Sequence, residues 1–304
     1  SEALLYVSGT RRTLGRVDHR DAFLDTHNLE RSRGITIFSK QARMESESRA
    51  ITLVDTPGHV DFSAEAERTM PILDCAVLVI SGTDGIQAHT HTLWQLLERY
   101  GVPTFLFINK MDLSGVDRDG LLMQLQNRLG SGCIDFAGDE AARDEAVAMC
   151  DEGALEAFLD SGSVDEETVR RLVAERKVFP CWFGAALKLE GVEEFLALLE
   201  RYTRPAPAHK EFGAKVFKIA RDAQGNRLTY LKVTGGTLKA RDELKYTNQN
   251  GEEFSEKIKG LRLYSGTKFD TPETVTQGEV CAVAGLTKTY PGQGLGADAD
   301  ASAP

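Results

Sequence analysis

The sequence has no long hydrophobic run. Its uninterrupted apolar stretches, such as 75–80 and 104–108, are far shorter than the roughly 20 residues that a bilayer-spanning helix needs. Residues 1–6 lack the basic start and the apolar core of a secretory signal peptide. We therefore predict no membrane span and no membrane partner.

Cysteine is also scarce, and the cysteines show no paired spacing. Five cysteines in 304 residues are widely spaced, and none forms a C-x-x-C pair. This spacing excludes a disulfide framework and a zinc ribbon, and it favours a reducing, cytoplasmic location. The five are Cys75, Cys133, Cys150, Cys181 and Cys281.

An excess of positive charge is missing as well. The net charge is −10, which argues against a protein that holds nucleic acid by bulk electrostatics alone, and we predict no DNA partner. Much of the negative charge lies in residues 135–177, which contain 13 acidic and 5 basic residues. We interpret this stretch as a solvated helical insert, with partner binding as the alternative. By contrast, residues 211–304 hold 13 basic and 12 acidic residues and are nearly neutral.

The first 200 residues alternate short apolar runs with amphipathic helical patterns. The runs at 51–54, 76–80, 104–108 and 179–183 predict buried strands. The patterns at 62–73, 87–100, 116–129 and 192–202 predict the helices between them. This order is typical of an α/β fold with a doubly wound, mostly parallel sheet, which binds ligands at the carboxyl ends of its strands.

The pattern changes after a proline-containing linker at 204–212. From there the apolar period is two, in runs separated by Gly, Asn and Asp turns. This predicts a small antiparallel β-barrel over 213–296. Residues 297–304 lack a core-forming pattern and are predicted to be a linker. The predicted barrel strands are 216–219, 228–233, 258–263 and 280–283.

The run Asp55-Thr56-Pro57-Gly58-His59 follows the first predicted strand. A carboxylate at a strand end can hold Mg²⁺ through water, and the amide of a glycine can approach a terminal phosphate closely. Asp55 and Gly58 are therefore candidates for a magnesium and phosphate site.

The run Asn109-Lys110-Met111-Asp112 also stands at a strand end. An aspartate can accept hydrogen bonds from N1–H and the N2 amino group of guanine, whereas adenine offers neither. We expect Asp112 to select guanine, Asn109 to tie neighbouring loops together, and the Lys110 stem to cover the base.

Two further segments complete the candidate site. The Thr36 hydroxyl, in Arg33-Gly34-Ile35-Thr36-Ile37, can complete the Mg²⁺ coordination. Gly184, Ala185 and Ala186 follow the last strand, and small residues there allow backbone N–H groups to reach the guanine O6. The Asn-Lys-x-Asp run alone is a weak signal and the Asp-Thr-Pro-Gly-His run is a stronger one. The order of the segments at strand ends strongly favours a guanine-nucleotide site.

With these motifs the chain resembles translational GTPases of the elongation factor G class. Residues 24–37 are similar to the first switch of that family, 55–59 to the second switch, and 109–112 to the base-specificity motif. The segments 4–9 and 14–18 are more similar to the tetracycline-resistance ribosomal protection proteins. The resemblance extends over nearly the whole chain.

The resemblance implies a P-loop-NTPase-like GTP-binding domain at 1–203 that hydrolyses GTP to GDP with Mg²⁺. It implies that His59 orients the attacking water and that Thr36 and Asp55 serve the metal. The partners that the resemblance implies are ribosomal RNA and ribosomal proteins. It also implies a monomeric protein in the cytoplasm. The barrel resembles a domain that docks on the small ribosomal subunit, and its near-neutral charge favours contact by shape.

Two departures from the family accompany the resemblance. A Gly-rich phosphate loop ending in Gly-Lys-Thr, with the strand before it, does not occur in the 304 residues, and three C-terminal domains are also missing. We therefore expect a fragment that binds GTP weakly and is inactive by itself. Ala185 stands where the family commonly has serine.

Other interpretations stay open. The chain could be a pseudo-GTPase that only docks on the ribosome or another partner. Asp112 opposes an ATP-dependent P-loop kinase, and the sequence does not separate translocation from tetracycline protection. Asp18, His19, Asp25 and His27, or the pair His89 and His91, are weaker metal candidates.

Overall fold

The computed structural model describes residues 1–15, 23–24, 36–46, 49–204 and 206–299. The chain divides into two compact units. The first is formed by described residues of Ala3–Leu14 and Leu73–Pro205, and the second by those of Gly15–Ile72 and Ala206–Pro304. Each unit has its own hydrophobic core.

The described helices and strands are numbered in chain order. The helices are α1 Glu2–Val7, α2 Ser63–Thr69, α3 Ala88–Arg99, α4 Arg118–Arg128, α5 Glu140–Ala148, α6 Glu152–Ser161, α7 Glu166–Ala174 and α8 Val192–Tyr202. Short 3₁₀ helices span Val60–Phe62, Met70–Ile72 and Ala186–Lys188. The strands are β1 Lys40–Glu45, β2 Ala50–Asp55, β3 Ala76–Ser81, β4 Thr104–Asn109, β5 Cys133–Asp135, β6 Phe179–Phe183, β7 Gly213–Arg221, β8 Arg227–Gly235, β9 Thr237–Lys239, β10 Glu243–Thr247, β11 Glu253–Lys257, β12 Gly260–Ser265, β13 Lys268–Asp270, β14 Thr274–Thr276, β15 Val280–Ala284 and β16 Gly294–Gly296.

The first unit is built on a four-stranded parallel sheet. Its strand order is β3-β4-β6-β5, and all three pairings are parallel. Strand β4 is buried along its length, with Phe105, Leu106 and Ile108 fully inaccessible. Phe195 of α8 packs edge-on against Phe107 at 5.0 Å between ring centroids. The predicted parallel α/β fold is confirmed.

The acidic insert folds as the three helices α5, α6 and α7. Each begins at an aspartate whose side chain accepts a hydrogen bond from a backbone N–H in the first turn: Asp139, Asp151 and Asp165. The Lys177 ammonium and the Arg171 guanidinium hold the pKa of Asp151 well below its usual range. Many of these acids therefore have structural roles as helix caps and ion-pair partners.

The second unit contains the predicted antiparallel barrel. Its main sheet has the order β13-β12-β15-β8-β7-β16, and the pairs β14-β9 and β10-β11 complete it. Alternate residues of these strands point into one core, where Leu231, Val233, Cys281, Val283 and Leu295 are fully buried. The predicted strands at 216–219, 228–233 and 280–283 lie within β7, β8 and β15.

One prediction about the first strand is wrong. Residues 51–54 do form a strand, β2, but it pairs antiparallel with β1 and is only partly buried. It lies in the second unit, where Val54 packs against a small cluster of Ile72, Phe217 and Val280. The apolar run is explained by this contact with barrel residues, and a contact between segments far apart in sequence leaves no periodic signal.

All five cysteines are free thiols, as predicted, and Cys133, Cys181 and Cys281 are buried. Burial raises the pKa of the Cys281 thiol, so that it stays protonated at neutral pH. None of the helices in the described part of the chain has the length and apolar character that crossing a membrane would require.

We predict that Leu172→Ala destabilises the first unit by about 2–5 kcal/mol, because Leu172 is fully buried between helix and sheet and its loss leaves a cavity. Leu159→Ala is the matched control, since Leu159 is 74% exposed. Both tryptophans, Trp94 and Trp182, lie in the first unit, so urea unfolding followed by their fluorescence reports on this unit. Equal effects of the two substitutions would contradict the assigned core.

Candidate functional site

The loops that follow β4 and β6 are joined by hydrogen bonds. The Gly184 N–H donates to the Ile108 carbonyl at 2.9 Å, and the Met111 N–H donates to the Gly184 carbonyl at 3.1 Å. The Asn109 side chain adds a third link, because its Oδ1 accepts from the Ala186 N–H at 2.9 Å. Two of the predicted segments therefore form one surface at the carboxyl end of the sheet.

A tight turn presents the next residues of this surface. Lys110 has a φ of 66°, in the left-handed region that residues with a Cβ seldom occupy. Its carbonyl accepts from the Leu113 N–H at 3.2 Å, which closes the turn. The Lys110 side chain is thereby exposed, while the Asp112 side chain remains only 20% exposed.

Glycine is required at position 184 by close packing. A Cβ there would lie 2.5 Å from the Glu190 carbonyl oxygen and 2.9 Å from Cζ of Phe107. The Ala185 N–H donates to that same Glu190 carbonyl at 3.0 Å. The amides of 184, 185 and 186 thus all have partners within the protein. The next amide, that of Leu187, donates to no acceptor in the described part of the chain and can face a ligand.

Lys188 belongs to this surface, although the sequence reasoning missed it. Its Nζ lies 2.9 Å from Oδ2 of Asp112. The Lys188 ammonium lowers the pKa of Asp112, and the Asp112 carboxylate in turn raises the pKa of Lys188. The only sequence signal was a lysine in the loop after β6, and no spacing rule relates that loop to Asp112.

The second unit holds the residues predicted to serve phosphate and metal. Asp55 is the last residue of β2, opposite Lys40 of β1. Pro57 is buried, whereas Gly58 and His59 are exposed. No described atom lies within 4 Å of the position that a Cβ of Gly58 would take. The backbone there is open to close approach by a ligand.

His59 begins the 3₁₀ helix Val60–Phe62. Its Nδ1 accepts from the Asp61 N–H at 3.2 Å, and its side chain is 47% exposed. The hydrogen bond orients the ring and leaves the other nitrogen, Nε2, as the atom that can act on an external group.

The segment after Thr36 is tied to helix α2, which follows His59. The Ser39 N–H donates to Oε1 of Glu65 at 3.2 Å, and Ser39 Oγ donates to the Glu65 carbonyl at 3.4 Å. Lys218 of β7 donates to the Ser39 carbonyl at 3.0 Å and lies 3.5 Å from Glu65. These contacts join the segments that carry Thr36 and His59 within the second unit.

Some predicted residues lie outside the described part of the chain. Arg33, Gly34 and Ile35 of the first switch are among them, as are Asp18, His19, Asp25 and His27 of the weaker metal proposal. Within the residues that the structure describes, no group of three or more His, Cys, Asp or Glu side chains could hold a metal ion.

The fold combines a parallel α/β sheet with an antiparallel β-barrel. Residues 1–205 match the family described as the elongation factor Tu GTP binding domain. The chain belongs to this family.

Curated relatives carry the similarity through the barrel. The chain is 32% identical to the oxytetracycline resistance protein of Streptomyces rimosus, over 94% of this chain and 48% of that protein. It is 30% identical to the tetracycline resistance protein TetP of Clostridium perfringens, over 99% of this chain and 49% of that protein. It therefore spans about half the length of these relatives. A crystal structure of a protein from Thermus thermophilus shares the fold, with a TM-score of 0.83 and 23% identity over 97% of this chain and 51% of that one.

We predict that Lys188→Met raises the pKa of Asp112 toward the value of a free aspartate, whereas Lys188→Arg keeps it low. The lowered pKa means that the ion pair is intact at neutral pH and is lost as the pH falls through that pKa. Carboxyl-carbon NMR titration of Asp112 measures this directly. Lys177→Met, which removes a partner of Asp151 instead, is the control. An unchanged Asp112 pKa in Lys188→Met would show that the two groups are not paired.

Proposed function

We propose that this protein binds guanine nucleotides and, with Mg²⁺, hydrolyses GTP as a monomeric, cytoplasmic translation factor acting on the ribosome. Its role would be of the elongation factor G or tetracycline-protection kind. The proposed domains are a GTP-binding domain at 1–203 and a barrel at 213–296, joined by a linker at 204–212. The observation that carries the proposal is the joined surface of Asn109, Asp112 and the loop after β6.

The base preference of this surface follows from its hydrogen-bonding groups. Asp112 is held as a carboxylate and can accept from N1–H and the N2 amino group of guanine. Adenine lacks both donors, so it would leave the acceptor positions of Asp112 that face the base without hydrogen bonds. The amide of Leu187 supplies a donor for the guanine O6.

The residues predicted to serve Mg²⁺ fit that ion. Magnesium keeps several waters and takes one or two protein oxygens together with phosphate oxygens, so it needs no large protein cluster. The Asp55 carboxylate and the Thr36 hydroxyl would hold it, and bound Mg²⁺ would neutralise phosphate charge. In this proposal Gly58 approaches the terminal phosphate, and His59 orients the attacking water when the ribosome stabilises that position.

We predict that Asp112→Asn reverses the base preference. The amide replaces one acceptor with a donor, so guanine loses a bond and xanthine, which has a carbonyl at C2, gains one. We expect at least about a hundredfold change in the ratio of GDP to XDP affinity. Titration with fluorescent GDP, competed with GDP, XDP and ATP, measures this ratio. The matched control is Asp119→Asn, an exposed acid of α4.

The titration is made on the chain itself and on the chain joined to the phosphate-loop segment of a tetracycline-resistance relative. We expect guanine selectivity in both and much tighter binding in the fusion, because phosphate-loop amides provide most of the β-phosphate affinity. Absence of guanine selectivity in both forms would contradict the proposal and favour a pseudo-GTPase that only docks on a partner.

We predict that His59→Ala lowers ribosome-stimulated GTP turnover by roughly a hundredfold or more and leaves GDP affinity unchanged, since His59 would act on water and not on the base. The measurement uses a full-length fusion that supplies the remaining segments of a relative. His91→Ala, in helix α3, is the control histidine. Full turnover in His59→Ala would remove His59 from the mechanism.

A further inference from the structure

A cationic cavity lies on the barrel, within the second unit. It has a volume of about 750 Å³ and is lined by residues of β8, β9, β12, β14 and β15 and of the turns beside them. Five of the 13 basic residues in 211–304 line it, against one of the 12 acidic residues there. The five are Arg227, Lys239, Arg241, Lys259 and Arg262, and the single acid is Glu273.

Three of these cations differ from the others in their exposure and in their ion pairing. Lys239, Arg241 and Lys259 are exposed, and none of them makes an ion pair with any residue that the structure describes. Arg262 differs, because its guanidinium lies 3.0 Å from Asp222 and stacks over Phe269 at 4.7 Å. An anion bound among these exposed cations would gain electrostatic attraction from several of them at once.

Arg227 provides a donor that the protein leaves unused. One of its terminal nitrogens donates to the Thr289 carbonyl. Its Nε is buried and has no acceptor among the described residues. A buried N–H without an acceptor is costly, and native structures usually satisfy such groups. Because Nε is closed to solvent here, an anionic oxygen in the cavity that Arg227 lines would reach it only once the guanidinium turns.

The backbone under Arg241 and Lys259 is fixed before any ligand arrives. Arg241 has a φ of 76°, and its N–H donates to the Ile258 carbonyl at 2.9 Å. The Lys259 N–H donates to the Ala284 carbonyl at 2.8 Å. A Cβ on Gly285 would lie 2.4 Å from the Lys257 carbonyl oxygen, so this turn packs closely. Fixed backbone reduces the entropy cost of gathering the cations around a ligand.

We propose that this cavity binds a small polyanion with two or more phosphate groups. A volume of about 750 Å³ is within the range of small-molecule sites, and the concave shape gathers cations from several turns around one compact ligand. Phosphate oxygens are strong acceptors for lysine and arginine. The proposal concerns the barrel alone and is independent of the guanine-nucleotide site.

Calorimetric titration of the whole chain with inorganic tripolyphosphate tests the proposal. We expect saturable binding that the double substitution Arg241→Gln with Lys259→Gln weakens about tenfold or more, because each lost cation removes a charge-assisted hydrogen bond. Lys245→Gln, an exposed lysine of β10 outside the cavity, should bind as the unaltered chain does. An unchanged circular dichroism melting curve shows that the double variant folds.

Backbone-amide NMR locates the bound anion. Shifts confined to residues around 239–241, 258–262 and 284–287 support the proposal, whereas shifts confined to 55–59 assign the binding to the phosphate side of the nucleotide site and overturn it. Equal weakening by Lys245→Gln would mean diffuse charge attraction and would overturn the cavity. Binding of a single-stranded oligoribonucleotide through the same residues, without tripolyphosphate binding, would also overturn it and identify a nucleic-acid surface.

Discussion

The burial of strand β4 is the constraint on which the first unit depends. The strand is paired on both sides, by β3 and β6, and covered on both faces, so only apolar residues and Thr104 fit along it. Polar side chains can begin only where the strand leaves the sheet, at Asn109. Because β6 ends beside it, the loop at 184–186 is within hydrogen-bond reach of Asn109. The geometry of the surface formed by Asn109, Asp112 and the loop after β6 is therefore a consequence of how the core is packed.

The sequence predicts those features that leave a local pattern. The central strands were recognisable because a strand covered on both faces is apolar throughout, and the barrel strands β7, β8 and β15 because they alternate. Strand β5 was missed, since Cys133–Asp135 is too short for any period. The pairing of β2 with β1 was missed for another reason, because contacts of Val54 with barrel residues depend on segments far away in the chain.

The candidate site also contains residues that a local sequence pattern indicates and residues that it does not. Asn109, Asp112, Asp55 and His59 stand at strand ends and in short motifs, so roles for them can be proposed from sequence order alone. Lys188 could not, because an ion pair between two loops is decided by how the loops fold. The aspartates of the acidic insert show the converse, since Asp139 and Asp165 belong to an acid-rich pattern but serve as helix caps. A carboxylate indicates function only when it does not already accept hydrogen bonds from neighbouring backbone N–H groups.

The barrel shows why a net charge is a poor guide to a surface. The near balance of 13 basic and 12 acidic residues favours contact by shape when only the sum is considered. Some of these cations make hydrogen bonds within the fold. Lys218 donates to the Ser39 carbonyl, and the buried Lys232 donates to the carbonyl of Ile72 at the end of a 3₁₀ helix.

Replacing either of these two lysines would leave a carbonyl without its donor, so their charge serves folding first. Lys239, Arg241 and Lys259 make no ion pair with a carboxylate in the described chain. Of the barrel acids, Glu273 lines their cavity and Asp222 is paired with Arg262. Electrostatic attraction depends on charge within about a Debye length of 8–10 Å, not on the domain total. A nearly neutral barrel can therefore present a locally cationic cavity. Its lysines and arginines differ in whether the fold already bonds them or leaves them available to a ligand.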